Sequence, residues 1–242
     1  MQQSFKPIAV IPHYNHGETL GKVVTRLLMY NLPVLVVDDG SDAENQAYLS
    51  ALTEQPYVQI LYRPENGGKG AAMKAGLQEA WRQGFTHVLQ VDADGQHNLA
   101  DVPIMLRKSR ENLTALICGR PVYGNDAPKS RLYGRKITNF WIAVNTRSLQ
   151  IADGMCGFRI YPLADTCIVL QTQSLGDRMD FDTEILVRLY WQHVPMIWID
   201  TVVKYAADGI SHFRSWQDNW LISKMHARLF FTMLMRLLTG KS

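Results

Sequence analysis

Short apolar runs alternating with amphipathic stretches dominate the first half of this chain, and that order allows few folds. Runs at residues 7–11, 34–37, 58–62, 86–91 and 113–118 read as strands. Helical patterns separate them, at about 18–30, at 43–53, from the Gly67–Gly70 turn to about 82, and once more before 113. Strands alternating with helices predict crossover units and an α/β, doubly wound, mainly parallel sheet with flanking helices. Val34-Leu35-Val36-Val37, apolar at every position, fits a strand covered on both faces. Sheets of this kind bind ligands beyond the carboxyl ends of their strands, so the residues that follow each run carry the functional signal.

Those residues are chemically well equipped. The first run leads into Pro12-His13-Tyr14-Asn15, an aromatic face and an amide suited to stacking on a nucleobase and reading its edge. The second ends in Asp38-Asp39, whose carboxylates accept hydrogen bonds from a base N–H or from ribose hydroxyls. The third leads into Asn66-Gly67-Gly68-Lys69-Gly70, which is expected to offer backbone N–H groups, a helix N-terminus and a lysine to an anion. The fourth delivers Asp92-Ala93-Asp94. Two hard oxygen donors on one side of an extended segment suit a divalent cation that keeps water and phosphate oxygens as its other ligands. Each motif alone also reads as a turn or a helix cap. Four of them at successive strand ends point to one cleft.

Composition narrows the function classes. At 242 residues and 47% hydrophobic content, one domain with a sizeable core is expected. A formal net charge of +3 is too weak to make nucleic acid the main partner. Cys118, Cys156 and Cys167 are odd in number and lack metal-site spacing, so they read as reduced thiols of a cytoplasmic protein. The first seven residues show no secretion signal, and no run reaches the roughly 18–20 apolar residues of a membrane span. Beyond residue 129 the pattern changes to a long helix at 129–149, a helix at 181–191, a strand at 195–203 and a helix at 216–238. In the last, Trp216, Trp220, Phe230, Leu234 and Leu238 share one side, with Gln217, Lys224, Arg228, Thr232 and Arg236 in a polar stripe. That C-terminal amphipathic helix fits a membrane headgroup region, or packing on the sheet or a partner. The expected division is residues 1–215 and 216–242.

Val10-Ile11-Pro12-His13-Tyr14-Asn15, Val36-Val37-Asp38-Asp39-Gly40-Ser41, Asn66-Gly67-Gly68-Lys69-Gly70 and Asp92-Ala93-Asp94 together resemble the family-two inverting glycosyltransferases of the GT-A fold. Asp92-Ala93-Asp94-Gly95-Gln96-His97 is most similar to the dolichyl/polyprenyl-phosphate mannosyl- and glucosyltransferase branch, and the likeness covers about residues 7–215. The resemblance implies a UDP- or GDP-sugar donor, a lipid-linked or polyprenyl-phosphate acceptor, and Mg²⁺ or Mn²⁺. By position it implies that Pro12, Tyr14, Asn15 and Asp39 hold base and ribose, with Lys69 near the nucleotide. Asp92 and Asp94 would serve metal and diphosphate, with Gln96 as a third ligand. Gly157-Phe158-Arg159 resembles an acceptor-side loop, and Phe181-Asp182-Thr183-Glu184 an acidic stretch that opens a helix.

Further candidates follow from that likeness. His212 and Arg214, in Ser211-His212-Phe213-Arg214, would close over the donor diphosphate. Arg120, Arg131 and Arg135 are candidates for an acceptor phosphate, although Arg135 reads better as a solvated helix residue. The implied reaction is inverting displacement at the anomeric carbon. A phosphate acceptor needs no base, whereas a hydroxyl of a polysaccharide or other glycoconjugate does, with Asp153 the first candidate and Glu184 the second. A sugar-phosphate nucleotidyltransferase fits less well, because a Gly-x-Gly-Thr-Arg-type loop normally stands where this chain has Pro12-His13-Tyr14-Asn15. The intact Asp92-Ala93-Asp94 argues against a non-catalytic nucleotide-sugar-binding scaffold. A membrane surface or an integral membrane partner is expected for the last helix, placing the protein on the cytoplasmic face.

Overall fold

A computed structural model describes residues 4–124, 129–203 and 215–240 of the chain. Its strands are β1 (Pro7–His13), β2 (Val34–Asp38), β3 (Val58–Tyr62), β4 (His87–Gln90), β5 (Leu116–Val122), β6 (Arg159–Pro162) and β7 (Met196–Val202). They form one sheet in the order β3-β2-β1-β4-β6-β5-β7. The helices are α1 (Gly17–Leu28), α2 (Ala43–Leu52), α3 (Lys69–Arg82), α4 (Val102–Glu111), α5 (Lys129–Thr146), α6 (Leu163–Thr172), α7 (Phe181–Trp191) and α8 (Ser215–Leu238).

Every residue of β2 is buried, as its unbroken apolar run requires. Ile8, Val10, Leu35 and Val37 face α3 and α7, while Ala9, Ile11, Val34 and Val36 face α1 through Leu20, Val24 and Leu27. The sheet is mainly parallel, with one exception. β6 runs antiparallel to both neighbours, with Ile160 opposite Leu89 of β4 and Ile117 of β5. Sequence periodicity does not reveal β6, because it has four residues and begins with a charged one, Arg159. It starts at the carboxyl ends of β4 and β5 and returns the chain toward their amino ends, where α6, also unanticipated, follows directly.

α8 lies along α5. Trp141 meets Phe230 edge-on at 6.4 Å, and Met225 and Leu229 are buried beneath the helix. Phe230 therefore turns inward, and Phe231 takes its place in the exposed apolar stripe. Arg228 reaches Glu184 of α7 at 2.5 Å, and Arg236 donates to the Trp191 carbonyl at 3.1 Å, so two members of the expected polar stripe anchor the helix.

At the same seam Asn145 lies 3.3 Å from Nδ1 of His226, and burial holds the His226 pKa down at about 4. The folded protein thus keeps His226 neutral, whereas an unfolded chain protonates it near pH 6.5. This contribution to stability is intact above pH 6.5 and is lost as pH falls toward 4, by on the order of 3 kcal/mol at the acid limit. Thermal unfolding between pH 7.5 and 4.5 should show a steeper fall in Tm for the wild type than for His226→Asn. Parallel curves would remove His226 as the cause.

Candidate active site

The ends of β1 and β2 are cross-braced. His13 is buried with Nδ1 3.1 Å from Asp38 Oδ1, and its Nε2 accepts the His16 N–H at 3.2 Å. Burial lowers the His13 pKa and Asp38 only partly opposes it, which keeps the ring neutral. Asn15 donates its backbone N–H to Ser41 Oγ and accepts the Asp42 N–H through Oδ1, both at 3.1 Å. Pro12, Tyr14 and Asn15 are half-buried along this edge.

Asp39 has a different duty from the one expected. Its carboxylate accepts the Gly67 N–H at 3.2 Å and the Gly68 N–H at 2.7 Å, and it pairs with Arg63. The Ala71 N–H goes to the Asp177 carbonyl at 2.8 Å. The amide cradle read from the glycine-rich turn is thus used within the protein, and Asp39 is the brace of that loop instead of an open acceptor. Lys69 is the part of the motif that faces the next strand end. Gly68 makes the turn with φ of 101°, in the left-handed region. Gly70 lets α3 approach the 176–177 loop, where an added Cβ would stand 2.7 Å from the Gly176 oxygen and 2.6 Å from Phe181 Cβ.

β4 ends at Gln90, so Asp92 and Asp94 occupy a turn and not an extended strand end. Thr19 ties this turn to α1 by donating to the Ala93 carbonyl at 2.7 Å. Asp94 Oδ1 accepts the Gln96 N–H at 3.0 Å. The Lys69 ammonium lies 2.8 Å from Asp92 Oδ1 and 2.8 Å from Asp182 Oδ2. Burial pulls the Lys69 pKa down, but Asp182 and Asp92 outweigh it and keep the amine charged. Burial likewise raises the Asp92 carboxyl, and Lys69 and His97 more than reverse that. Among the described residues no three His, Cys, Asp or Glu side chains close into a metal cage. Asp92 and Asp94 are both partly exposed, and Asp92 is neutralised by the Lys69 ammonium; two such carboxylates suit a hard cation that completes its shell with water and phosphate oxygens.

The acceptor-side residues divide. A cleft of about 500 Å³ beyond the end of β5 is lined by Arg120, Tyr123, Tyr133, Arg135, Lys136 and Asp153. Arg120 pairs with Asp200 of β7 at 2.5 Å. Arg135, expected on a solvated face, turns inward and holds Asp153 at 2.5 Å. Asp153 also accepts the N–H groups of Met155 and Cys156, so it is not a free base. Phe158 is fully buried and stacks on His97, while Arg159 lies in β6 and donates to the carbonyls of Asp182 at 2.5 Å and Gly154 at 3.0 Å. Gly157-Phe158-Arg159 is therefore internal framework, not an open acceptor loop. Glu184 is fully buried between Arg188 at 3.0 Å and Arg228 at 2.5 Å, which removes it as a base. His212, Arg214 and the side chain of Arg131 lie outside the described residues. Sequence reading gave no role to Asp182 or His97, whose partners stand far away along the chain.

A mainly parallel α/β sheet with an acidic turn and a lysine at its carboxyl edge is a GT-A-like arrangement. The chain belongs to glycosyl transferase family 2, whose family model matches residues 8–164. It is 33% identical over 180 residues to undecaprenyl-phosphate mannosyltransferase of Micrococcus luteus, covering 71% of this chain and 72% of that protein. It is 29% identical over 198 residues to a dolichyl-phosphate beta-glucosyltransferase of Trichomonas vaginalis, covering 74% of this chain. The chain spans 59% of the length of that relative. Glucosyl-3-phosphoglycerate synthase from Mycobacterium tuberculosis, solved with Mn²⁺, UDP and phosphoglyceric acid, superposes with a TM-score of 0.69 at 12% identity. That match covers 95% of this chain and 78% of the other, and it is a likeness of fold.

The close approach at Gly70 can be checked directly. Gly70→Ala should lower stability by about 1–3 kcal/mol in denaturant unfolding, because the added methyl meets backbone that cannot yield cheaply. An unchanged midpoint would show that the loop moves freely away from α3.

Proposed function

We propose that this chain is a metal-dependent, inverting glycosyltransferase that moves a sugar from a UDP- or GDP-sugar to a lipid-linked, polyprenyl-phosphate acceptor. The observation that carries this reading is the acidic segment Asp92–Asp94, paired with the Lys69 ammonium, on the carboxyl edge of a family-two sheet. The names of the relatives supply the acceptor class. Asp92 and Asp94 would hold Mg²⁺ or Mn²⁺, with Gln96 as a third ligand, and the ion would supply positive charge to offset the negative charge building on the departing diphosphate.

The chain's own residues do the rest. Pro12, Tyr14 and Asn15 bound the base pocket, and Lys69 offers its ammonium to the diphosphate. Arg120, Arg135 and Lys136 line the cleft for the acceptor phosphate, where guanidinium forks match phosphate oxygens. A phosphate oxygen is ionised at neutral pH and needs no base. The engagement of Asp153 and Glu184 in ion pairs favours such an acceptor over a hydroxyl. Asp94→Ala should abolish nucleotide release from UDP- and GDP-sugars while leaving the Tm unchanged; full turnover that resists chelation would refute the metal role.

The acceptor class calls for a membrane surface. Among the described residues no helix is long and apolar enough to cross a membrane. α5 exposes Tyr133, Ile137 and Phe140, and α8 exposes Trp216, Trp220, Phe231 and Leu238. α5 has no acidic residue, and the single acidic residue of α8, Asp218, is buried. We assign this aromatic, basic pair of helices to the cytoplasmic face of the membrane. Removing residues 216–242 would also strip Met225 and Leu229 from the core, so point variants give the cleaner test. Trp216→Glu with Trp220→Glu should keep the Tm and lose flotation with anionic vesicles. Equal flotation would leave these helices to a protein partner.

A further inference from the structure

We infer that Lys69 is a built-in placeholder cation: it neutralises Asp92 until a divalent ion arrives, and Asp182 is the positioning residue that receives the displaced ammonium. The inference rests on the reading of Asp92 as a metal ligand. It goes beyond that reading by assigning Asp182 a role and by coupling metal entry to diphosphate capture.

The two carboxylates that share the ammonium are not equivalent. Asp182 is fixed from behind. Its Oδ1 accepts from Gln90 Nε2 at 2.9 Å, and Gln90 is itself held by the Tyr161 hydroxyl at 3.0 Å. Arg159 grips the Asp182 backbone carbonyl at 2.5 Å. The Asp182 side chain is 7% exposed against 24% for Asp92, so Asp92 is the one that solvent reaches more readily. Gly157 makes room for this arrangement, since a Cβ there would stand 3.0 Å from Lys69 Nζ and would overlap Gln90 Nε2.

A divalent ion arriving from solvent meets Asp92 before Asp182. His97 Nε2 already lies 3.7 Å from Asp92, so a divalent ion arriving there adds to the positive charge around the carboxylate and is repelled most by the ammonium in direct contact with it. The ammonium sits on a flexible four-carbon stem and keeps one fixed partner, so it can leave Asp92 without becoming unpaired. Released on one side, it presents donors to a diphosphate bound at the same metal. An arginine would grip Asp92 through a two-toothed fork and yield less readily.

Mn²⁺ binding to the nucleotide-free enzyme, followed by electron paramagnetic resonance, reads this competition without turnover. Lys69→Met should bind Mn²⁺ about tenfold more tightly than the wild type. Lys69→Arg should bind it no more tightly than the wild type. Asp182→Asn keeps an acceptor for Gln90 but leaves the ammonium to Asp92 alone, and it should bind Mn²⁺ several-fold more weakly. A merely structural role for Lys69 would move the Met and Arg variants in the same direction. Unchanged or weaker Mn²⁺ binding by a folded Lys69→Met enzyme overturns the placeholder role. Binding by the wild type that survives Asp94→Ala, or no binding even with UDP or GDP present, instead overturns the metal site beneath it.

Discussion

The Lys69 ammonium ties together two parts of the chain that meet only in the folded sheet. α3 brings it from the glycine-rich turn, the segment after β4 supplies Asp92, and α7 supplies Asp182. A charge this enclosed is tolerable only when carboxylates and hydrogen bonds compensate its lost hydration. Much of the surrounding sequence is committed to that compensation. Gln90 and Tyr161 fix Asp182, Arg159 fixes the backbone beneath it, and the missing side chain of Gly157 keeps the space open.

From this point an unbroken set of contacts reaches the cleft beyond β5. Arg159 joins the Asp182 carbonyl to that of Gly154, the neighbouring Asp153 holds Arg135, and Arg135 lines the cleft beyond β5. The antiparallel insertion of β6 makes this possible, because it returns the chain between β4 and β5 with Arg159 opposite Gln90. The Lys69–Asp92 pair and the cleft beyond β5 are thereby braced against each other through Asp182, Arg159 and Asp153. A larger cavity of about 710 Å³, lined by Trp191, Trp198 and Arg236, opens instead near the start of β7, at the other end of the sheet.

The parallel half of the fold was legible because buried parallel strands have no polar alternation to blur them, and each run here ended in a turn motif. β2, β3 and α7 fall where the apolar runs and helical spacing put them. β6 was hidden because its charged first residue reads as a loop, although its guanidinium is satisfied inside the protein. The acidic turn and Lys69 were visible as local motifs. Their partners were not, since Lys69 to Asp182 and Arg135 to Asp153 are pairings that only the packing of helices on the sheet creates. For the same reason the tie between Asp39 and the glycine-rich turn, and the burial of Phe158 against His97, were not legible.

The central claim is that the Asp92–Asp94 turn grips a divalent ion bridged to a nucleoside diphosphate. Anomalous diffraction from crystals grown with Mn²⁺ and UDP or GDP tests it most directly. The account requires a manganese peak in direct coordination with carboxylate oxygens of both aspartates, with the diphosphate on its other side and the Lys69 amine turned toward it. A nucleotide bound elsewhere, or one whose phosphates meet no metal at this turn, would contradict it.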